Sequence, residues 1–363
     1  MMKTVFLVVL AISQAISLPV YDPYVEWMEQ KVEQYDHMLT QFKETSVKEG
    51  FNKKVSQDVD HFTNLVTLAK DLGCSQFVKY LDEVPHLKKL LQNDGPFTII
   101  LPTDEAFAAL SPHGKVEVRD HLAQNLLGHI ARGLVYSSEL YNERLVPTLL
   151  FFDDKEVDLR FNIYLDGKVV TASGSILIKT DQNATNGVIH VTDRVILPMP
   201  LYDIVVEMAE IRNATGLMMS AVGLAGVAET LDGDGPFTVF APKNEAFEKM
   251  RNPSLMDLMK NRTALKEVVL YHIVAGTIYE AGLRDGDRLT TLNGGQLRIE
   301  EEGPDKEGGD RVNFIEVAFP DVAATNGVIH LLAGVLIPPE IRAAYKKSSP
   351  DTIFEELLSP SLV

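Results

Sequence analysis

Four histidines at matched places in the two halves of this chain are its first candidates for chemistry. His129 and His190 in the first half correspond to His272 and His330 in the second, and an imidazole can hold a metal ion or move a proton near neutral pH. A metal site needs more than this. Each half brings one histidine from a helical stretch and one from a strand, and no repeated carboxylate or cysteine pattern stands nearby to complete a coordination shell. The four are therefore read as core histidines, neutral and hydrogen-bonded in the interior, with no metal and no cofactor.

Other catalytic signatures are missing. The sequence has no G-x-S-x-G, no H-E-x-x-H, no P-loop and no G-x-G-x-x-G between a strand and a helix. Asp232-Gly233-Asp234-Gly235 begins like a calcium loop, but Phe237 and Lys243 stand where glycine and glutamate are needed. The single cysteine, Cys74, excludes an intramolecular disulfide and a cysteine zinc site; Leu65, Leu68, Leu72, Phe77 and Leu81 around it mark a buried thiol on the apolar side of a helix. The chain does not read as an enzyme.

The elements that hold these residues come from a duplication. ATNGVIH at 184–190 returns at 324–330, and GPFT at 95–98 returns at 235–238, both displaced by 140 positions. That period is too long for a solenoid repeat and has the size of a domain. The 363 residues thus divide into a first domain over 56–200 and a second over 201–340, each large enough for its own core. A short tail follows at 341–363.

Within each repeat a helical region comes first, over Phe62–Leu91 and Leu201–Leu231, with apolar residues at helical spacing. The turn formers Asp94-Gly95-Pro96 and Asp234-Gly235-Pro236 lead into short buried strands, PFTIILP and PFTVFAP. Asp104 and Asn244 then stand near the cap of a second helix. Val118–Leu134 and Leu265–Gly276 continue as helix-like segments carrying His129 and His272, and alternating strands close the repeat. Asn186-Gly187 and Asn326-Gly327 are the strongest two-residue hairpin signal, because both residue types accept positive φ, so these four are read as a structural turn. Helices first and strands later, without alternating crossovers, indicate an α+β fold.

Before the first repeat, Lys3, the apolar run Val5–Ile12 and small residues at Ala15 and Ser17 read as a signal peptide over 1–17. Residues 18–55 form an N-terminal extension. Asp22-Pro23 and the spacing of Tyr24, Met28, Tyr35, Leu39 and Phe42 predict an amphipathic helix over 23–43 within it, whose stripe must lie on a domain, a partner or a second copy of the chain. The C-terminal DTIFEELLSPSLV carries charges where a lipid-anchor signal needs a long apolar tail. A freely secreted protein is expected. Three sequons fit that route, at Asn183, Asn213 and Asn261, as glycosylation sites where exposed. With 34 basic against 51 acidic side chains, the net charge of −17 repels phosphate backbones and anionic lipid. Nucleic acid is not an expected partner, and no later run is apolar enough for membrane insertion.

The order GPFT, then Ala106-Phe107 or Ala246-Phe247, then a histidine-bearing helix, then ATNGVIH and a run ending in proline resembles the fasciclin (FAS1) domain, here twice over about residues 56–340. The resemblance implies a wedge of β-strands packed with helices. It also implies extracellular adhesion, since animal members with tandem domains are secreted matrix and cell-adhesion proteins. In family members, integrin contact is attributed to an Asp-Ile pair before the ATNGVIH-like motif and to a Tyr-His pair among branched aliphatic residues. The second repeat matches both approximately, with Asp321-Val322 and Tyr271-His272; the first keeps Asp181 but follows it with Gln182, and has Gly128 before His129. Asp321, between Pro320 and a turn, is expected to be exposed, whereas packing and direct contact both stay open for Tyr271 and His272. There is no Arg-Gly-Asp triplet. The sequence reads as a secreted matrix or cell-adhesion protein acting on receptors or matrix proteins; the alternative is a secreted carrier of a small apolar ligand, held between the domains or beneath the N-terminal helix.

Overall fold

Proline and glycine cut the expected helical runs into short pieces. The computed structural model describes residues 63–251, 253–300 and 309–347, all within one compact unit. In the first repeat α1 (Leu65–Asp71), α2 (Ser75–Asp82) and α3 (Pro85–Asn93) stand where one helical region was expected. Gly73, at φ 82°, follows the first of them, and Pro85 has no N–H to give, so it can start a helix but not continue one. Cys74 precedes α2 and is fully buried; burial pushes its thiol up to about 11, which makes it inert at neutral pH.

β1 (Phe97–Pro102) follows, then α4 (Asp104–Ala109), α5 (Pro112–Asp120) and α6 (Leu122–Gly128). Asp104 does not cap its own helix. Thr103 does that, while the Asp104 carboxylate accepts the Gln76 N–H at 2.7 Å in α2. The strands β2 (Ile130–Arg132), β3 (Arg144–Phe152), β4 (Lys155–Tyr164), β5 (Val169–Ala172), β6 (Ser175–Ala184) and β7 (Gly187–Thr192) close with β1 into a barrel. The helix-like segment read over 118–134 is thus two helices and a strand.

The second repeat runs α7 (Ile204–Glu210), α8 (Arg212–Ala225), α9 (Ala228–Leu231), β8 (Phe237–Pro242), α10 (Asn244–Glu248), α11 (Leu255–Lys260), α12 (Arg262–Tyr271) and β9 (Ile273–Ala275). It ends with β10 (Arg288–Thr290), β11 (Gln296–Glu300), β12 (Arg311–Val312), β13 (Ile315–Ala324) and β14 (Gly327–Leu332). These strands form one sheet in the order β10-β11-β12-β13-β14-β8-β9, and a single bridge between Val274 and Thr291 joins its two ends. A last helix, α13 (Pro339–Lys347), carries the chain past the expected domain end at 340. The α+β class holds in both repeats. The signal peptide, the helix expected over 23–43 and residues 348–363 lie outside the described residues.

The core centres on a parallel strand pair. β1 pairs with β7, and β8 with β14; every residue of β1, β7 and β14 is buried. Strands covered on both faces need continuous apolar runs, which is what IILP and GVIH supply, and any polar residue within them must find a partner inside. Thr98, Thr192, Thr238, His190 and His330 are those residues.

Candidate functional site

The repeated heptad is an internal clamp. Ala184 pairs with Gly187 and Ala324 with Gly327, so the two-residue turns are Thr185-Asn186 and Thr325-Asn326, and the glycines open the next strands. The turn expected at Asn-Gly is therefore displaced by one residue. Asn186 and Asn326 do not adopt positive φ; they act through their side chains. The Asn186 Oδ1 accepts the Leu65 N–H at 2.9 Å, and its Nδ2 donates to the Leu91 and Asp94 carbonyls at 2.8 and 2.7 Å. This ties the start of α1 to the end of α3. Asn326 does the same with the Ile204 N–H at 2.9 Å and the Leu231 and Gly233 carbonyls at 2.7 and 2.8 Å.

Gly187 and Gly327 are required by close approach. A Cβ would lie 2.1 Å from the Phe97 carbonyl oxygen in one copy and 1.9 Å from that of Phe237 in the other. The threonine of GPFT serves the same region: Thr98 accepts the Val135 N–H and donates to the Gly133 carbonyl, and Thr238 does so with Ile278 and Gly276.

All four histidines are spent on the backbone, and their partners set the tautomer. His129 donates from Nδ1 to the Asn125 carbonyl at 2.6 Å and accepts the Ile196 N–H at Nε2; His272 repeats this with Val268 at 2.7 Å and Leu336. His190 and His330 carry the proton on Nε2 instead, donating to Val135 and Ile278 at 2.7 and 2.8 Å and accepting the N–H of Asp181 and Asp321 at Nδ1. Burial lowers the pKa of all four, to about 4 for His129 and His272. With both nitrogens occupied and the charged form disfavoured, none is placed to hold a metal or shuttle a proton. Among the described residues no group of three or more His, Cys, Asp and Glu could hold a metal ion.

Asp181 and Asp321 sit at equivalent bulges, with φ of 57° and 62°. The Asp181 carboxylate caps a tight turn by accepting the Ser137 N–H at 2.8 Å and the Ser137 hydroxyl. Asp321 caps the equivalent turn through the Glu280 N–H at 2.7 Å, but its other oxygen accepts Arg194 Nη2 of the first repeat at 2.7 Å. Its side chain is 8% exposed, against 33% for Asp181. The exposure expected of Asp321 does not hold, because the neighbouring repeat covers it. Val322 is buried in the core of the second repeat.

Around this ion pair the two repeats join through polar groups. Glu143 accepts Arg160 Nη1 at 2.9 Å and the Thr277 N–H at 2.8 Å, while Arg160 Nη2 donates to the Thr325 carbonyl at 2.8 Å. The Tyr164 hydroxyl donates to the Thr277 carbonyl and accepts the Tyr279 N–H. Gly174, at the β5–β6 turn, lies under the Tyr279 ring, 2.8 Å from where its Cβ would be. These hydrogen bonds and the ring contact run across the seam between the two repeats.

Tyr271 and His272 are buried. The Tyr271 hydroxyl donates to the Gln296 carbonyl at 2.8 Å and accepts Asn313 Nδ2 at 3.0 Å. In the first repeat Gly128 takes the tyrosine's place and Met199 lies against it, 2.5 Å from where a Cβ would be. The lost Tyr-His pair is therefore a packing exchange.

A profile of the Fasciclin domain matches residues 72–198 and again 214–338. The chain belongs to the fasciclin domain family. It is 28% identical over 302 residues to transforming growth factor-beta-induced protein ig-h3 of Sus scrofa, covering 80% of this chain and 42% of that one. It is also 28% identical over 294 residues to periostin of Homo sapiens, covering 79% and 34%. The chain spans less than half the length of these relatives. A solved FAS1 domain pair from the insect cell adhesion molecule Fasciclin I is 20% identical, covering 75% of this chain and 99% of that one, with a TM-score of 0.37.

Outside the fasciclin pair's interface the surface offers a cleft of about 580 Å³ lined by Tyr271, Asn293, Gln296, Pro338 and Ile341, and a second of about 380 Å³ beside Leu224 and Arg262. The three sequon asparagines, Asn183, Asn213 and Asn261, are all exposed. The sequence reading did not single out Phe314. It stands at the β12–β13 turn of the second fasciclin domain, 75% exposed and at φ 65°. No described helix is long and apolar enough to cross a membrane.

Proposed function

We propose that this fasciclin pair is a secreted adhesion or matrix protein that acts, without catalysis, through protein contacts with cell-surface receptors or matrix, and that the β12–β13 tip of its second domain makes the contact. One observation carries the placement. A phenylalanine at positive φ costs backbone energy and, left in water, returns none of it by burial, so Phe314 is unexplained by folding and suited to a partner. Phe319, on the strand that follows, is also exposed. The family's tandem members support the adhesion reading, and the inward use of every matched histidine favours surface recognition over chemistry. Among the contact residues suggested by sequence, Asp181 keeps a partly open carboxylate, whereas Asp321, Val322, Tyr271 and His272 would have to leave the interior.

The test is cell attachment to the coated full chain. Phe314→Asn, which suits a turn with positive φ, should reduce attachment without lowering the melting temperature. Full attachment by that variant would reject the tip, and no attachment by the wild-type chain to any matrix-adherent cell would reject adhesion itself.

A further inference from the structure

The two fasciclin domains present the same face to different surroundings. In the second domain the face around Tyr279, Asp321, Ala323 and Val328 is covered by the first domain, and Tyr279, Ala323 and Val328 form a small buried cluster of their own. The equivalent residues of the first domain are Tyr136, Asp181, Asn183 and Val188. There Tyr136 and Asp181 are only half-buried and Asn183 is exposed. Ala323, buried beside Tyr279 in the second domain, is thus replaced in the first by an exposed asparagine whose two following residues, Ala184 and Thr185, complete a glycosylation sequon.

The opposite, receiving face is changed as well. The first domain receives its neighbour with Gly174, which leaves room for a tyrosine ring, and with Arg194, which holds the aspartate. At the equivalent positions the second domain has Phe314 and Gly334. A further domain docking there in the same way would meet an aromatic side chain in place of the gap and no guanidinium for its carboxylate.

We infer that Asn183 carries an N-linked glycan, which closes the first domain's open face where the second domain carries its neighbour. This rests on the secreted reading above. The folded geometry accepts the modification: the Asn183 Oδ1 accepts the Tyr136 hydroxyl at 3.0 Å, and Nδ2 needs one N–H for the Asp181 carbonyl at 3.2 Å. Glycosylation uses the other. Nδ2 forms a bond to the anomeric carbon of a lipid-pyrophosphate-linked oligosaccharide, loses one proton to a base, and the lipid pyrophosphate departs; the remaining N–H keeps its hydrogen bond.

The full chain expressed in a secreting eukaryotic cell tests this by glycopeptide mass spectrometry. Asn183 should be occupied, Asn183→Gln should lose one glycan's mass, and Thr185→Ser, which keeps the sequon, should retain it. Chemical nitration of Tyr136, followed by peptide mapping, should then be several-fold faster in Asn183→Gln than in the glycosylated chain. A secreted chain with Asn183 bare, whether or not Asn213 or Asn261 is modified, overturns the inference. Occupancy with an unchanged Tyr136 rate overturns the closure of the face. A chain retained in the cytosol with all three sequons bare overturns the secreted reading and the inference with it.

Discussion

Asp181 and Asp321 occupy the same bulge, cap the same turn and lie beside the same histidine, yet one is half open and the other is locked between domains. The comparison separates what a fasciclin domain needs for itself from what a pair needs. Capping the turn is common to both copies and belongs to the fold. The bond to Arg194 exists in one copy only and belongs to the assembly. A residue shared by the two repeats can therefore differ in role according to what lies across from it.

The largest effect should fall on the features the copies share. Gly187→Val and Gly327→Val each drive a side chain into a backbone carbonyl about 2 Å away, and each should cost its own domain more than about 4 kcal/mol, the range reserved for overpacking of this kind. Calorimetry should show loss of one transition per variant. A variant with an unchanged transition would mean that the strand pair can spread to admit a side chain, and that the two clamps are not equivalent.

Acidification should divide the domains. His129 and His272 have folded values of about 4 against an ordinary 6.5, because burial disfavours the imidazolium. The unfolded chain takes up a proton that the folded chain refuses, so stability is complete above pH 6.5 and falls as pH drops toward 4. At pH 5 each histidine costs about 2 kcal/mol. Glu207, in the second domain, has the opposite sign: burial first, then Glu210 and Glu117, raise it from 4.5 to about 7. The folded chain then holds a proton that the unfolded chain releases above pH 4.5, so lowering the pH from 7 to 4.5 stabilises the second domain. Domain-resolved hydrogen exchange at pH 7 and pH 5 should show the first domain, where His129 and His190 both resist protonation, losing at least about 2 kcal/mol and the second, where Glu207 offsets part of the loss, less. Equal losses would break this distinction.

The aspartates give a smaller contrast. Asp321→Ala leaves Arg194 without its closest carboxylate and the Glu280 N–H uncapped, and should cost about 2 kcal/mol, discounted because the Arg194 side chain is 38% exposed. Asp181→Ala removes a turn cap alone, at about 1 kcal/mol. Loosening of the β5–β6 turn at Gly174 should appear in hydrogen exchange for the first variant and not for the second; the same pattern in both would mean that the ion pair does not hold the domains together. The smallest effect concerns Phe314. Phe314→Asn should change stability by within about 0.5 kcal/mol, whereas Gly174→Phe, which copies that side chain into the first domain's docking turn, should separate the pair. A clear loss of stability in Phe314→Asn would return Phe314 to the fold.

Much of this protein was legible without coordinates. The 140-residue offset and the α+β order follow from local patterns, because a duplicated motif and a buried apolar strand are written in consecutive residues; glycine is needed at 187 and 327 for a reason no local pattern shows, the approach of the Phe97 and Phe237 carbonyls. Burial of His129, His190 and His330 follows the apolar runs in which they stand, whereas for His272 the sequence left packing and surface contact both open and the structure shows it buried. The turn itself was misplaced by one residue because Asn-Gly was weighed as backbone preference alone. The bonds from Asn186 to Leu65, Leu91 and Asp94 reach across 92 to 121 positions, and no local pattern shows them.

By itself, then, the sequence determined the two domains, their family and the interior each must bury, since hydrophobic periodicity and backbone preference act between near neighbours in the chain. Only the tertiary structure decided which equivalent residues face a partner. Arg194 and Asp321 are 127 positions apart, and whether a carboxylate meets water or a guanidinium depends on how two complete domains dock. The same docking leaves Asn183 and Phe314 exposed.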